Sequence, residues 1–500
     1  MTFVSWYFLL FFAVLLGTLR VMPTRESRQF TLLAASAIFY GAGTTWHLLV
    51  LAGPAIIDFA CATRIEDSDD QVVRKRWLLL SLVSNLGLLA YFKYADFFAD
   101  SIAALIGAET VPLGLLLPVG ISFFIFKTLS YTIDVYRREI PACRSLWKYA
   151  MFVAYFPELV AGPIVRASVF IPQMDRHLRP SMARAAVGMQ LILLGLTKKL
   201  FIADRLATLV NPVFTTPGEY SQFTVISAVI AYSIQIYCDF SGYSDIAIGV
   251  SRIIGFDLPE NFNMPYAAKS ITEFWRRWHI TLSQWLRDYL YIPLGGNRKG
   301  RWRTYVNLLV TMLLGGLWHG ASWTFVVWGL LHGVGLGVHK LWRMRVPESR
   351  APFAGVVGWA VTYGFVCLTW VFFRAADFGT AALILRKIAG LEPGGAHWTY
   401  LPLLLILPIV IVAHVIGTWI ARRETEFHGG TQGIIPPPVF AEWLYGRQGT
   451  GIAVRPHHAA GLYLLLPRAG FASAFIVTIW LTTLFLLSPV NVRPFIYFQF

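Results

Sequence analysis

The sequence predicts an all-α polytopic membrane protein, and three observations carry that prediction. Of 500 residues, 56% are hydrophobic and only 14% are charged, with a mean hydropathy of +0.58. A soluble chain holds about 25% charged residues because they must cover its surface. Too few are present here to do so. The third observation is that long apolar runs recur from one end of the chain to the other.

A spanning helix needs about 20 mostly apolar residues. Runs of that kind fall near 3–19, 30–51, 77–98, 112–131, 149–165, 187–203, 222–240, 304–318, 323–341, 355–373, 400–420 and 471–489. The expected total is roughly 10 to 12 spans, because short or tilted segments blur the count. The first run has neither a basic leader nor a small-residue cleavage site, so it reads as a retained helix rather than a signal peptide. Basic residues sit in short loops between runs: Arg20, Arg25 and Arg28; Arg74, Lys75 and Arg76; Arg298, Lys299, Arg301 and Arg303. Cytoplasmic loops carry such an excess, so the 20–28 loop is expected inside and the N-terminus outside, in the periplasm of a cell with an inner membrane. The 42 Lys+Arg against 27 Asp+Glu, a net charge of +15, therefore report topology and membrane-lipid contact, not nucleic-acid binding. Cys61, Cys143, Cys238 and Cys367 lie far apart with no CxxC pair, so neither a metal site nor a disulfide framework is expected.

No repeat divides the chain, which reads as one membrane domain over 1–500. The stretch 421–470 is its least apolar part, with Gly429, Gly430 and Pro436 to Pro438 marking an irregular loop. A short interfacial helix is expected near Phe440 to Tyr445, and His428, His457 and His458 read as surface residues without metal-ligand spacing.

Two stretches are too polar for simple spans, 120–180 and 257–303. Non-helical backbone at membrane depth survives only where protein or a watery cavity surrounds it, so a site is sought there. Taken as one helix, Ile271 to Tyr289 puts Phe274, Trp275, Trp278, Leu282, Trp285, Leu286 and Tyr289 on one face. Arg276, His279, Ser283, Gln284 and Arg287 fall on the other. An interfacial helix with headgroup-level tryptophans explains the apolar face. It does not explain a histidine in mid-face, or the Pro293-Leu294-Gly295-Gly296 turn that follows. A re-entrant helix with its polar face toward a cavity accounts for both. His319, between Gly315-Gly316 and Gly320, is a histidine within an apolar segment, and such a residue is by default a functional candidate. A hydrogen-bonded structural histidine is the plainer alternative, and His332 is assigned that role. Asp239 and Asp245 end an apolar run, where an internal salt bridge is favoured over a proton relay; Asp134 and Glu158 are read the same way. No phosphate-cradling loop or nucleophile elbow is present.

Taken together, three blocks resemble the membrane-bound O-acyltransferase family: Phe274-Trp275-Arg276-Arg277-Trp278-His279-Ile280-Thr281-Leu282-Ser283, Arg287-Asp288-Tyr289-Leu290-Tyr291-Ile292-Pro293-Leu294-Gly295-Gly296, and Leu317-Trp318-His319-Gly320. Asp239 to Asp245, Asn261 to Tyr266, Ser122 to Arg137 and Phe156 to Ile164 are similar to its bacterial branch that acetylates polysaccharides such as alginate. These blocks span about residues 115–340, the motif core. The resemblance implies a ring of tilted helices, with re-entrant and amphipathic pieces, around a thin catalytic centre. It implies that His319 is the essential catalytic histidine and that His279 lies near it. Asp239, Asn263, Trp275, Arg276, Trp318 and Glu158, which stand in the matching blocks, become candidates for substrate binding or tunnel lining. It further implies no bound cofactor, a cytoplasmic acyl thioester donor (acetyl-CoA is expected), periplasmic polysaccharide-modifying partner proteins, and a polysaccharide as the final acceptor. Two rivals stand beside this reading: D-alanyl transfer to an envelope polymer, and a carrier or flippase for a lipid-linked sugar. Transporters commonly carry internal repeats, and none is seen here.

Overall fold

A computed structural model describes residues 1–175, 182–346, 353–427, 471–487 and 495–496. Among these the chain is helical, and its one extended pairing is an isolated bridge between Tyr220 and Ala396. The chain groups into two compact units, Met1–Pro180 with Val250–Pro259, and Ser181–Gly249 with Glu260–Phe500. The loop histidines His428, His457 and His458 and the 440–445 helix lie outside the described residues; 421–427 ends the helix Leu401–Phe427.

In the first unit, Trp6–Val21, Arg25–Gly41, His47–Glu66, Gln71–Leu89, Ile121–Tyr136 and Leu146–Ala154 form the helical framework. Their starts follow the capping residues: Ser5, Thr24, Asp70 and Ser145 each accept a backbone N–H of the first turn. Polar side chains that an apolar bundle must bury are paired within it. Asp58 accepts from Ser81 at 2.5 Å and from Asn85 at 2.8 Å, and Asn85 accepts from Thr128 at 2.9 Å, which ties three helices together. Buried Arg74 donates to the carbonyls of Ile65 (2.6 Å) and Tyr136 (2.7 Å), capping two helix ends where carbonyls lack partners. Outside the helices, the hydrogen bond from Arg144 holds the Asp67 carboxyl below its ordinary range.

The second unit contains the run 182–215, the long helix Gln222–Ile254 as far as Gly249, then Arg301–His319, Trp323–Arg345, Ala354–Arg374, Phe378–Ile388, Leu401–Phe427 and Phe471–Leu487. Glycines set one close crossing: a Cβ on Gly242 would stand 2.7 Å from the carbonyl oxygen of Gly195. Small residues allow this approach, which packs membrane helices where water supplies no driving force.

Six described helices are long and apolar enough to cross a bilayer. That is fewer than the apolar runs suggest: the 30–51 run breaks at 42–46 between Arg25–Gly41 and the span His47–Glu66, and local chemistry divides or shortens two more. The 149–165 run breaks at Tyr155 (ψ 108) before Pro157, leaving the short pieces Leu146–Ala154 and Phe156–Leu159. The 112–131 run is not helical until Ile121, since Pro112, Gly114, Pro118 and Gly120 keep the preceding chain irregular. The 187–203 run continues through a π-turn, Thr197–Ala203, into Asp204–Thr215. The 222–240 run extends to Ile254, so Asp239 and Asp245 lie inside a helix and not at its end.

Candidate active site

The single helix expected over 271–289 is two helices. Ile271–Arg277 stops, Trp278 is extended, His279 takes a left-handed conformation (φ 41°), and Ile280–Leu286 follows. A continuous helix would leave His279 on the face of Arg276 and Gln284, both of which are exposed. The break turns it inward, and His279 is fully buried. Left-handed backbone at a non-glycine residue persists where the surroundings over-determine it, and here Asn261 does so. Its carbonyl accepts from Ile280 N at 2.9 Å, and its Oδ1 accepts from Thr281 Oγ1 at 2.9 Å and meets His279 Nδ1 at 3.0 Å. Asn261 Nδ2 in turn donates to Ser244 of the long helix at 3.3 Å. Oδ1 can only accept, so the neutral imidazole carries its hydrogen on Nδ1 and presents Nε2 as a base.

His319 is the last residue of Arg301–His319 and is 4% exposed. The helix reaches Trp323–Arg345 through glycines that admit no side chain. A Cβ on Gly316 would stand 3.1 Å from Gly329 Cα and nearer still to the carbonyl oxygen of Phe325. A Cβ on Gly320 would overlap the Phe325 ring. This contact fixes the end of one helix against the start of the next, so His319 is held by backbone packing. Aromatic rings wall it: Trp318 and Trp328 at 5.0 Å and Phe373 at 5.2 Å between centroids. Trp318 also reaches His279, at 6.0 Å, so one indole touches both histidines. Phe240, in the long helix, closes on His279 at 4.7 Å. The rings enclose the two imidazoles in an apolar aromatic chamber, surroundings in which a base or a hydrogen-bond donor meets little competing water.

The remaining candidates divide. Trp318 belongs to the chamber. Trp275 supports it from behind: its Nε1 donates to His332 Nδ1 at 3.2 Å, and Thr369 Oγ1 lies 3.0 Å from His332 Nε2. Both nitrogens of His332 are thus engaged, which is the structural role expected of it. Asn263 flanks the anchor, its backbone exchanging contacts with Arg277 at 2.9 Å and 3.2 Å. Arg276 is exposed. Asp239, adjacent to Phe240, forms a buried ion pair with Lys199 at 2.6 Å, and Lys199 also meets Asp204 at 2.9 Å. The Ile496 N–H donates to Asp239 at 2.7 Å, and Asp245 pairs with Lys198 at 2.6 Å. Both carboxylates therefore follow the salt-bridge reading. Glu158 lies in the other unit, buried against Lys127 at 2.6 Å. No metal-binding group of three acidic, His or Cys residues occurs among the described residues.

The profile of the membrane-bound O-acyltransferase family matches residues 32–378, most of the chain, including both histidines and their walls. The chain belongs to that family. It is a multi-pass membrane protein, and the enzyme class of the family is acyl transfer to oxygen. Among relatives, an Azotobacter vinelandii protein named "Probable alginate O-acetylase AlgI" is 44% identical over 388 residues, 76% of each chain. A Pseudomonas putida protein of the same name is 36% identical over the full length of both. A Helicobacter pylori "Peptidoglycan O-acetyltransferase" is 37% identical, covering 72% of this chain and 73% of the relative. This O-acyltransferase thus has O-acetyltransferases as relatives over most of its length. Sequence reasoning missed Asn261 as the anchor of His279, and Trp328 and Phe373 as walls of the chamber. The spacing of Asn261 from His279 carries no signal, because the contact is made by a loop returning on a helix break.

Proposed function

We propose that this O-acyltransferase moves an acetyl group from a cytoplasmic thioester, with acetyl-CoA as the expected donor, across the inner membrane for O-acetylation of an exopolysaccharide such as alginate. The observation that carries the reading is the enclosed pair of histidines. A hydroxyl is a poor nucleophile near neutral pH, and a neutral imidazole in hydrogen-bond reach takes its proton, an effect of about 10²–10⁴ in rate. His319 is assigned that role. His279, held by Asn261, is assigned to orient the reacting group through its Nε2. Trp318 sets the spacing between them. Water is excluded by the rings, which protects the thioester from hydrolysis and strengthens every dipole in the chamber.

Moving only the acyl group also suits the bilayer. A sugar would leave many hydroxyls without water, at about 4–8 kcal/mol each in a medium that cannot hydrogen-bond. An acetyl group has one carbonyl. The name printed for the Azotobacter vinelandii and Pseudomonas putida relatives supports alginate as the final acceptor, and periplasmic modifying proteins are the expected partners, facing the same side as the N-terminus.

Purified protein in sealed vesicles tests the reading. With labelled acetyl thioester supplied at one face and acceptor with its partner protein at the other, label is expected in ester linkage across the bilayer. Label esterified only on the donor side contradicts the through-membrane route. Passage of intact sugar without ester formation makes the protein a carrier.

A further inference from the structure

Attack on a thioester carbonyl requires two things of a site, a base for the hydroxyl and a hydrogen-bond donor for the carbonyl oxygen. His319 answers the first. The helix that carries it ends at the site, so it turns its carbonyls toward the chamber and offers acceptors, not donors. At the start of the following helix, Ala321 and Ser322 are half-buried and Trp323 is exposed. One turn further in stands Trp328. Its side chain is 1% exposed, and its ring meets that of His319 at 5.0 Å and 84°, edge to face. Its Nε1 is buried without a hydrogen-bond partner among the described residues. Indole N–H is a donor only, and burying it unsatisfied is a standing cost that folded proteins avoid. The neighbouring indole, Trp275, by contrast donates its N–H to His332.

We infer that Trp328 is a further catalytic residue, whose Nε1–H donates to the oxyanion formed when a hydroxyl adds to the thioester carbonyl beside His319. The inference rests on the acyl-transfer reading and deepens it. In the step, the hydroxyl oxygen bonds to the carbonyl carbon while His319 takes the hydroxyl proton. The carbonyl π-pair moves to oxygen, where the Trp328 N–H meets the new charge. Collapse restores the carbonyl and breaks the carbon–sulfur bond. The departing thiolate takes the proton back from the imidazolium, leaving ester, free thiol and neutral His319. Because the donor is out of water and its ring is packed against Phe373 (5.2 Å), it needs no reorganisation when charge develops.

Trp328→Phe removes the N–H together with three ring atoms and keeps an aromatic ring at the site, and Trp370→Phe makes the same loss of volume beside it. Wild type, Trp328→Phe and Trp370→Phe are purified in detergent, matched for folded protein by melting curve, and assayed for ester formation from acetyl-CoA over a range of donor and acceptor concentrations. Trp370 packs on Trp328 and Trp278 and controls for loss of an indole from the same aromatic cluster. Trp328→Phe is expected to lower kcat by roughly 100-fold, at the low end for one oxyanion donor, with KM for both substrates unchanged and the melting temperature lowered no more than in Trp370→Phe. Trp370→Phe is expected to keep kcat. A Trp328→Phe enzyme with wild-type kcat overturns the inference. So does an equal kcat loss in Trp370→Phe, which makes the effect one of packing, or a loss confined to KM. Absence of ester from the wild type with every thioester overturns the acyl-transfer reading, and this inference with it.

Discussion

Replacing Gly316 by alanine tests whether helix contact positions the histidine. The added Cβ would stand 3.1 Å from Gly329 Cα and N, and closer to the Phe325 carbonyl oxygen. Carbon contacts settle at about 3.5–4.0 Å, so the helices Arg301–His319 and Trp323–Arg345 must part by several tenths of an ångström or more. Every atom that has to yield is backbone, which leaves no rotamer to absorb the change. Overpacking of this kind costs about 1–3 kcal/mol. His319 lies less than one turn beyond the insertion, and its distance from Trp328 is set by the contact being opened. A misplacement of about 1 Å at a reacting group is worth on the order of 10²-fold in rate. Gly316→Ala is therefore expected to lose activity well beyond any loss of folded protein. Gly364→Ala makes the same chemical change in the helix Ala354–Arg374, where a Cβ meets nothing within 4 Å. It is expected to be active and slightly more stable, since alanine costs less backbone entropy than glycine. Acyl transfer per folded molecule, with detergent melting curves for both variants, decides the matter. A Gly316→Ala protein with wild-type melting and turnover refutes the argument that this crossing positions His319.

Two further perturbations follow from named contacts. His279→Ala is expected to impair turnover strongly with little loss of protein, and Trp285→Ala, buried on the packing face, mainly to lower the amount of protein; immunoblots beside the transfer assay separate the two, and equal activity per molecule in both variants would make the 271–289 region structural. In the buried Lys127–Glu158 pair, Glu158→Gln leaves a charge without its partner and is expected to destabilise by about 3–5 kcal/mol, while Lys127→Met with Glu158→Leu recovers much of it; melting of the single and double variants measures the difference, and an unaffected single variant would contradict the pairing.

The runs 77–98, 187–203, 222–240, 355–373 and 400–420 were legible as spans because hydropathy needs no tertiary information, and the burial of His319 because a histidine between glycines in an apolar run has few surface positions to occupy. What escaped was decided by contacts distant in sequence. His279 faces inward only because Asn261, eighteen positions earlier, holds both its ring and the next turn of backbone. Helical periodicity assumed a continuous helix there and put it on the face of Arg276 and Gln284, which the structure exposes. Trp328 reads in sequence as one more aromatic residue on a membrane helix, and only the Gly316–Gly329 crossing brings its ring to His319. Asp239 and Asp245 looked like the end of a span because charge usually ends one. Lys198 and Lys199, on the neighbouring helical run, neutralise them and let the helix continue to Ile254.

The most direct test of the central claim is the acetyl-transfer rate of His319→Ala against wild type, at equal amounts of inserted, folded protein in vesicles. With His319 as the base that takes the hydroxyl proton, the rate is expected to fall by about 10²–10⁴, with protein level and thioester binding retained. Transfer within roughly threefold of wild type, a difference too small for loss of a catalytic base, would remove His319 from the chemistry and with it the account of this chamber as the active site.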